Sequence, residues 1–293
     1  MENLLSMRGV SRRISDDFAL QNVDLTVREN EVVGFVGPNG AGKTTIIRVA
    51  LGLVHLDSGD LNLFEQPFGA NADEALQREL RARIGVVMDT CPFPSDHTVR
   101  QAAASVSPAY PCWNWKRFEA LCDAHGLSLK AKVKSLSRGM GMKLQLICAL
   151  CHGADLLLLD EATAGLDPIA RDGILDELRA FASEPGHGVL LSSHITSDLE
   201  RIADRVVAID AGCIAFDLPR EEITDVAGIA RCTAAQADEV MLCVEGARMQ
   251  RRDYSVDVLV PDRFAFTEAF PDVACDRASI DEYLHFYLEE ADR

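Results

Sequence analysis

The stretch GPNGAGKTT, Gly37 to Thr45, constrains this chain more than any other feature of its sequence. It follows the short apolar run EVVGFVG and opens into IIRVALGLV, so a buried strand leads into it and a helix leads out. A glycine-rich loop in that setting turns its backbone N–H groups inward, and the helix N-terminus behind it favours negative charge. Gly37, Pro38, Asn39, Gly40, Ala41, Gly42, Lys43, Thr44 and Thr45 are therefore read as positions that hold a nucleotide triphosphate. Lys43 is expected to reach the β- and γ-phosphates, and the Thr44 hydroxyl to meet Mg2+. The alternative, a bare tight strand-to-helix connection, is set aside because the whole pattern stands in its required context.

A second constellation fits the first. LLLLDE, residues 156–161, is an apolar strand that ends in two carboxylates. Asp160 at the strand end is placed to help hold magnesium, and Glu161 one residue further on to polarise a water for attack on the γ-phosphate. His194 closes the apolar run GVLLSS and is a candidate contact to the same phosphate.

Between and around these motifs, short apolar runs alternate with amphipathic stretches. That alternation predicts an α/β layer with a largely parallel sheet, and the β-rich opening region an antiparallel portion attached to it. Helices are expected over 99–126, interrupted near SPAYPCWNW by two prolines, and from Ser137 to about Cys151. The start of that last helix, SRGMG, is poor helix material, because glycine lowers helix propensity. Around residues 219–230 the pattern weakens. EVMLCVEG and YSVDVLVP then read as strands and SIDEYLHFYLEEA as a terminal helix, together a small appendage.

Composition narrows the partners. A net charge of −17 argues against nucleic acid, whose phosphates require concentrated lysine and arginine. No run approaches eighteen apolar residues and the opening residues show no export pattern, so neither export nor membrane spanning is expected. Nine cysteines then read as free thiols in a reducing compartment. Cys148, Cys151 and His152 match the spacing of c-type haem attachment, but they lie in the apolar run LQLICALC and are read as packing.

Taken in order, these motifs resemble the nucleotide-binding subunit of ABC transporters. LSRGM at 136–140 is similar to that family's LSGGQ signature, and DEATAGLDP at 160–168 to its Walker B acids followed by the D-loop, here Gly165, Leu166 and Asp167. His194 falls at the switch histidine, and Asp89, closing RIGVVMD, where the family carries a glutamine. The resemblance covers roughly residues 3–220. Asp89 together with AYPCWNWKRF, LSRGMGMKL and SSHITSDLERIAD further resembles the YtrB-like subgroup of ABC-2-type exporters, whose permeases are separate chains.

The resemblance implies a P-loop NTPase of the ABC ATPase type. Its RecA-like core would carry an antiparallel β subdomain and a helical subdomain at about 95–150. Residues 1–220 would form the nucleotide-binding domain and 221–293 the α+β appendage. The cofactors implied are ATP and Mg2+, the ion at Thr44, Asp160 and Asp89, with Glu161 as general base and His194 as γ-phosphate sensor. Ser137 and Gly139 would contact the nucleotide of a second ATP-binding subunit, and integral membrane permease subunits would place the pair at the cytoplasmic face of the membrane. Four departures stand out. Ile14 occupies the place of the aromatic that stacks on adenine, Asp89 replaces glutamine, Ala162 replaces proline, and Arg138 and Met140 replace the usual glycine and glutamine of the signature. Two other functional classes fit the same motifs: a soluble ABC-type ATPase of cofactor assembly, repair or translation, and a module that binds ATP without turning it over.

Overall fold

A computed structural model describes residues 2–69, 73–251 and 255–288. The opening third builds an antiparallel sheet from β1 (Asn3–Arg13), β2 (Ala19–Arg28), β4 (Ser58–Leu63) and β5 (Gln66–Pro67), in the order β2-β1-β4-β5. β3 (Val32–Val36) leaves this layer for a second sheet, and α1 (Lys43–Ala50) follows it directly after the glycine-rich loop.

That second sheet is the centre of the molecule. Behind α2 (Glu74–Ala82) comes β6 (Ile84–Val87), then three helices, α3 (Val99–Val106), α4 (Trp115–Ala124) and α5 (Arg138–Cys151). Then follow β7 (Leu156–Asp160), α6 (Pro168–Ser183), β8 (Gly188–Ser192), α7 (Thr196–Ile202), β9 (Arg205–Asp210) and β10 (Cys213–Pro219). The order is β10-β9-β3-β8-β7-β6, parallel except for the antiparallel edge strand β10. Both faces are covered, which is why LLLLD and VVGFV are apolar throughout instead of alternating. Val33, Phe35, Leu156 and Leu158 face the antiparallel sheet and α1, while Val32, Val36, Leu157 and Leu159 face α5, α6 and α7.

The helical layer has its own core, in which Phe118, Cys122, Leu144, Ile147, Cys148 and Cys151 pack together. The expectation for the two cysteines of CALCH holds: both are buried free thiols, and burial pushes Cys151 up to about 12. His152, also buried, stacks on Tyr110, ring centroids 4.0 Å apart. Burial pulls its pKa down to about 4, so the folded chain keeps it neutral where an unfolded chain would protonate it below about 6.5. The unfolded state then holds more protons between those values. Stability contributed by the neutral ring is complete above about pH 6.5 and is lost as the pH falls toward 4, by up to about 3 kcal/mol. Thermal melts between pH 4.5 and 7 should show this slope, and His152→Phe, which keeps a stacking ring, should flatten it. Equal slopes in the two proteins would assign the acid sensitivity to other groups.

Beyond residue 228 the chain forms β11 (Gly228–Cys232), α8 (Ala234–Cys243), β12 (Arg248–Arg251), β13 (Val256–Val260), α9 (Arg263–Ala269) and β14 (Cys275–Arg277). The antiparallel order β12-β13-β11-β14 is that of a split βαβ, ferredoxin-like unit. α8 and α9 cover one face of it. The final helix α10 (Ile280–Leu288) joins the other face to the main core through Ile229, Leu259, Tyr283, Leu284 and Phe216. The sequence reading of EVMLCVEG as a strand is corrected here. Glu239 to Cys243 belong to α8, whose start is set by a capping box between Thr233 and Gln236, with Ala237 and Val240 facing in. A short apolar run has no periodicity of its own to distinguish the two. The expected extension of the last helix to Ala291 lies outside the described residues.

Candidate functional site

The glycine-rich loop leaves β3 and closes onto Gly42, the residue that caps α1. At Gly37 only a hydrogen fits, because a Cβ there would stand 2.1 Å from the carbonyl oxygen of Ile209 in β9. Gly40 faces open space instead, and with Pro38 and Asn39 it forms the exposed rim of the loop. Lys43 folds back inside: its Nζ donates to Gly37 O at 2.7 Å and to Pro38 O at 3.1 Å. Burial lowers the pKa of this ammonium, against the raising effect of Glu161 and then of Asp160 nearby. A buried cation with two carboxylates close to it, at the N-terminus of a helix, suits a polyanion.

Thr44 and Asp160, 116 residues apart in sequence, are brought into contact because β3 and β7 lie in one parallel sheet. The Thr44 hydroxyl donates to Asp160 Oδ2 at 2.6 Å, while Asp160 Oδ1 is buried and has no hydrogen-bond partner among the described residues. An orphaned carboxylate oxygen beside a hydroxyl, at the mouth of a phosphate loop, is the donor set that a hard cation such as Mg2+ takes. These residues fit the ion.

Glu161 sits at the turn after β7 with φ of 54°, a backbone conformation that costs energy for any residue but glycine. The turn lifts its carboxylate off the strand line, and its N–H is held by Ser192 O of β8. Glu161 Oε2 lies 2.5 Å from His194 Nδ1 and also accepts the His194 N–H at 3.4 Å. Glu161 is mostly covered and His194 about half open to solvent. The acid and the imidazole are thus joined at the ends of two adjacent strands, on the side of the sheet where the phosphate loop lies.

The remaining expected positions divide. Ser137 is the N-cap of α5, its hydroxyl accepting the Met140 N–H at 3.2 Å with an O–H still able to donate. Gly139 is approached within its own chain: a Cβ there would stand 2.6 Å from Cδ2 of Leu166, whose buried side chain would have to shift. Asp167 caps α6, and Pro168 starts it. Asp89 is expected with Thr44 and Asp160; here its carboxylate pairs with Arg138 of the signature. Ile14 is 45 % exposed, with its N–H donating to Phe18 O.

Two residues beside the site escaped the sequence reading. The Phe18 ring lies against the loop, where a Cβ on Gly42 would stand 3.1 Å from its Cζ. Its signal is an aromatic four residues after Ile14. Gln145, buried in α5, grips the backbone of Met88 from both sides. A polar residue inside the apolar helix sequence MKLQLICAL is the signal that was available for it.

The comparisons with known proteins agree with this geometry. The ABC transporter family profile matches residues 20–164. The chain is 34% identical over 220 residues to the Nod factor export ATP-binding protein I of Burkholderia lata, covering 71% of this chain and 68% of that protein. It is 33% identical over 218 residues to the ABC transporter ATP-binding protein YhcH of Bacillus subtilis, covering 72% and 68%. Among solved structures, an ATP-binding subunit of an ABC transporter superposes with a TM-score of 0.68 at 25% identity, covering 75% of this chain and 91% of that one. A dimeric bacterial ABC transporter cassette gives 0.67 at 20% identity, covering 74% and 98%, and that match speaks for the fold. With the phosphate loop, the Thr44–Asp160 contact and the Glu161–His194 pair in one site, the chain belongs to the ABC transporter ATP-binding family.

Proposed function

We propose that this chain is the ATP-hydrolysing subunit of an ABC exporter, with 1–220 as its nucleotide-binding domain and 221–293 as an appendage to it. The observation that carries the reading is the convergence of Lys43, Thr44, Asp160, Glu161 and His194 on the mouth of one loop. ATP would lie along Gly37–Thr45, its phosphates taking the N–H groups of the loop and the ammonium of Lys43. Magnesium bound at Thr44 and Asp160 supplies charge neutralisation at the β- and γ-phosphates. Glu161 takes a proton from the attacking water, and His194, held to Glu161, orients that carboxylate and faces the γ-phosphate.

Hydrolysis in this reading needs a second subunit, whose Ser137 and Gly139 close over the nucleotide. Exporter-type coupling is favoured by the similarity to Nod factor export proteins and by the YtrB-like motifs. Among the described residues no helix is long and apolar enough to cross a membrane, so the transport path would come from separate permeases. A groove of about 1030 Å3 lies between the chain after α1, β4 and α2, with Tyr110 of the helical layer at its edge. Gly52 and Val54 line it, and between them Leu53 is 69 % exposed. A permease segment seated there would touch both the end of the phosphate-loop helix and the helical layer.

Expression of the tagged chain together with any permease gene found beside its own tests the assignment. ATP-dependent co-purification and ATPase activity are expected, and Leu53→Glu should weaken the co-purification while its melting temperature stays within a few degrees, as surface changes normally leave stability within about 0.5 kcal/mol. An active ATPase that never retains a permease would favour the soluble class instead.

A further inference from the structure

Two buried oxygens of the proposed site belong to neighbouring strand ends and have no partners. One is Asp160 Oδ1 and the other is Ser192 Oγ, at the end of β8; neither makes a hydrogen bond among the described residues. Asp160 and Ser192 are paired in the register of β7 and β8, so their backbones stand one strand spacing apart, about 4.8 Å. Leu158 and Leu190, two residues back, pair in the same way and lie in the core that faces α1 and the antiparallel sheet. Alternation along a strand turns Asp160 and Ser192 to that face too, where the Thr44 hydroxyl meets Asp160 Oδ2. Both side chains are buried, Ser192 completely. Unpartnered hydroxyls are also buried at Ser6 and Thr163, but neither residue is the strand neighbour of an unpartnered carboxylate.

We propose that Ser192 is a positioning residue for the metal, its hydroxyl and Asp160 Oδ1 together holding one water of the ion's shell. The inference rests on the reading of Thr44 and Asp160 as the magnesium site. The two oxygens make no bond to each other, and a buried gap between polar groups suits a bridging water. A water bound to a cation gives the ion a lone pair and has two hydrogens left to place. Asp160 Oδ1 and Ser192 Oγ are two acceptors for them on one wall of the site. Asp160 then serves the ion through the water while Oδ2 keeps the Thr44 hydroxyl. The same serine accepts the Glu161 N–H through its carbonyl, so one residue ties the metal side of the site to the base side.

The test uses the full chain carrying Glu161→Gln, so that ATP binds without turnover, and follows Mn2+ in place of magnesium by its paramagnetic resonance signal. Ser192→Ala should raise the Mn2+ dissociation constant of the ATP-loaded protein roughly tenfold, as loss of a hydrogen-bond partner behind a metal typically does. Affinity for a fluorescent ATP analogue in the presence of a chelator should not change. The melting temperature of the nucleotide-free protein should not fall, because the hydroxyl makes no bond within the protein that alanine would lose. An unmoved Mn2+ constant would overturn the inference alone. So would a lowered melting temperature or a metal-independent loss of nucleotide affinity, either of which assigns the hydroxyl to the fold. A loaded parent that holds Mn2+ no tighter than free ATP does would overturn the metal site and this inference, and leave ATP binding standing. Failure of the parent to bind the analogue at all would overturn the ATP-binding reading itself.

Discussion

Glu161→Gln is expected to cut ATP turnover by about a hundredfold or more while leaving ATP bound, since removing a positioned general base costs roughly 10²–10⁴ in rate. The geometry makes the substitution a clean one. Glu161 already occupies a left-handed backbone position, so glutamine adds no strain that the wild-type residue lacks. Its N–H bond to Ser192 O and its carbonyl bond to the Ala164 N–H are both backbone contacts and survive. What disappears is the carboxylate next to His194 and part of the negative field around Lys43. With hydrolysis blocked, the closed pair of subunits should persist, so the variant mixed with ATP and magnesium should elute at twice its monomer mass and return to monomer with ADP. Turnover at the wild-type rate would place the base elsewhere. His194→Ala, which leaves the acid in place but frees it from its orienting partner, should reduce turnover less than the glutamine variant does.

How much of this was legible depended on how far apart the cooperating residues lie. Gly37–Thr45 and the Asp160–Glu161 pair could be read because each is a short run in which a local turn does the chemical placing. The parallel order of the central sheet was implied by apolar strands alternating with amphipathic helices, and it is this order that carries Thr44 to Asp160 and Glu161 to His194. Asp89 and Arg138 are different. Their pairing spans 49 residues and leaves no local pattern, whereas Gln145, which holds the backbone of Met88, is marked by its place in an apolar helix. Gly139 shows a further limit. A glycine in a first helical turn announced a close approach, but within this chain what approaches is Leu166. The appendage was legible as α+β but not in detail, because the apolar residues Val240 to Leu242 fit a strand as well as a helix until Thr233 and Gln236 are seen to cap one. Leu242, 88 % exposed, is the residue that misleads, since an apolar side chain facing outward makes a helix look like a buried run.

Lys43→Ala is the second large effect and separates binding from folding. The ammonium is buried and donates to the carbonyls of Gly37 and Pro38. Desolvation lowers its pKa, so in the absence of a ligand its charge is held at a cost, partly offset by Glu161 and Asp160. Removing it therefore takes away little that stabilises the fold, and the melting temperature of the nucleotide-free protein should move by no more than a few degrees. A triphosphate changes the balance, because it gives the ammonium charged partners in a site screened from water. Charge-assisted hydrogen bonds of that kind contribute about 1.5–3 kcal/mol each, so ATP affinity should fall by roughly tenfold to a hundredfold and turnover by more. Titration of the alanine variant with a fluorescent ATP analogue, beside a thermal melt, reads both quantities from one preparation. Wild-type affinity would show that Lys43 serves only to hold the loop carbonyls. A collapse of the melting temperature would show that the lysine is needed for the fold itself.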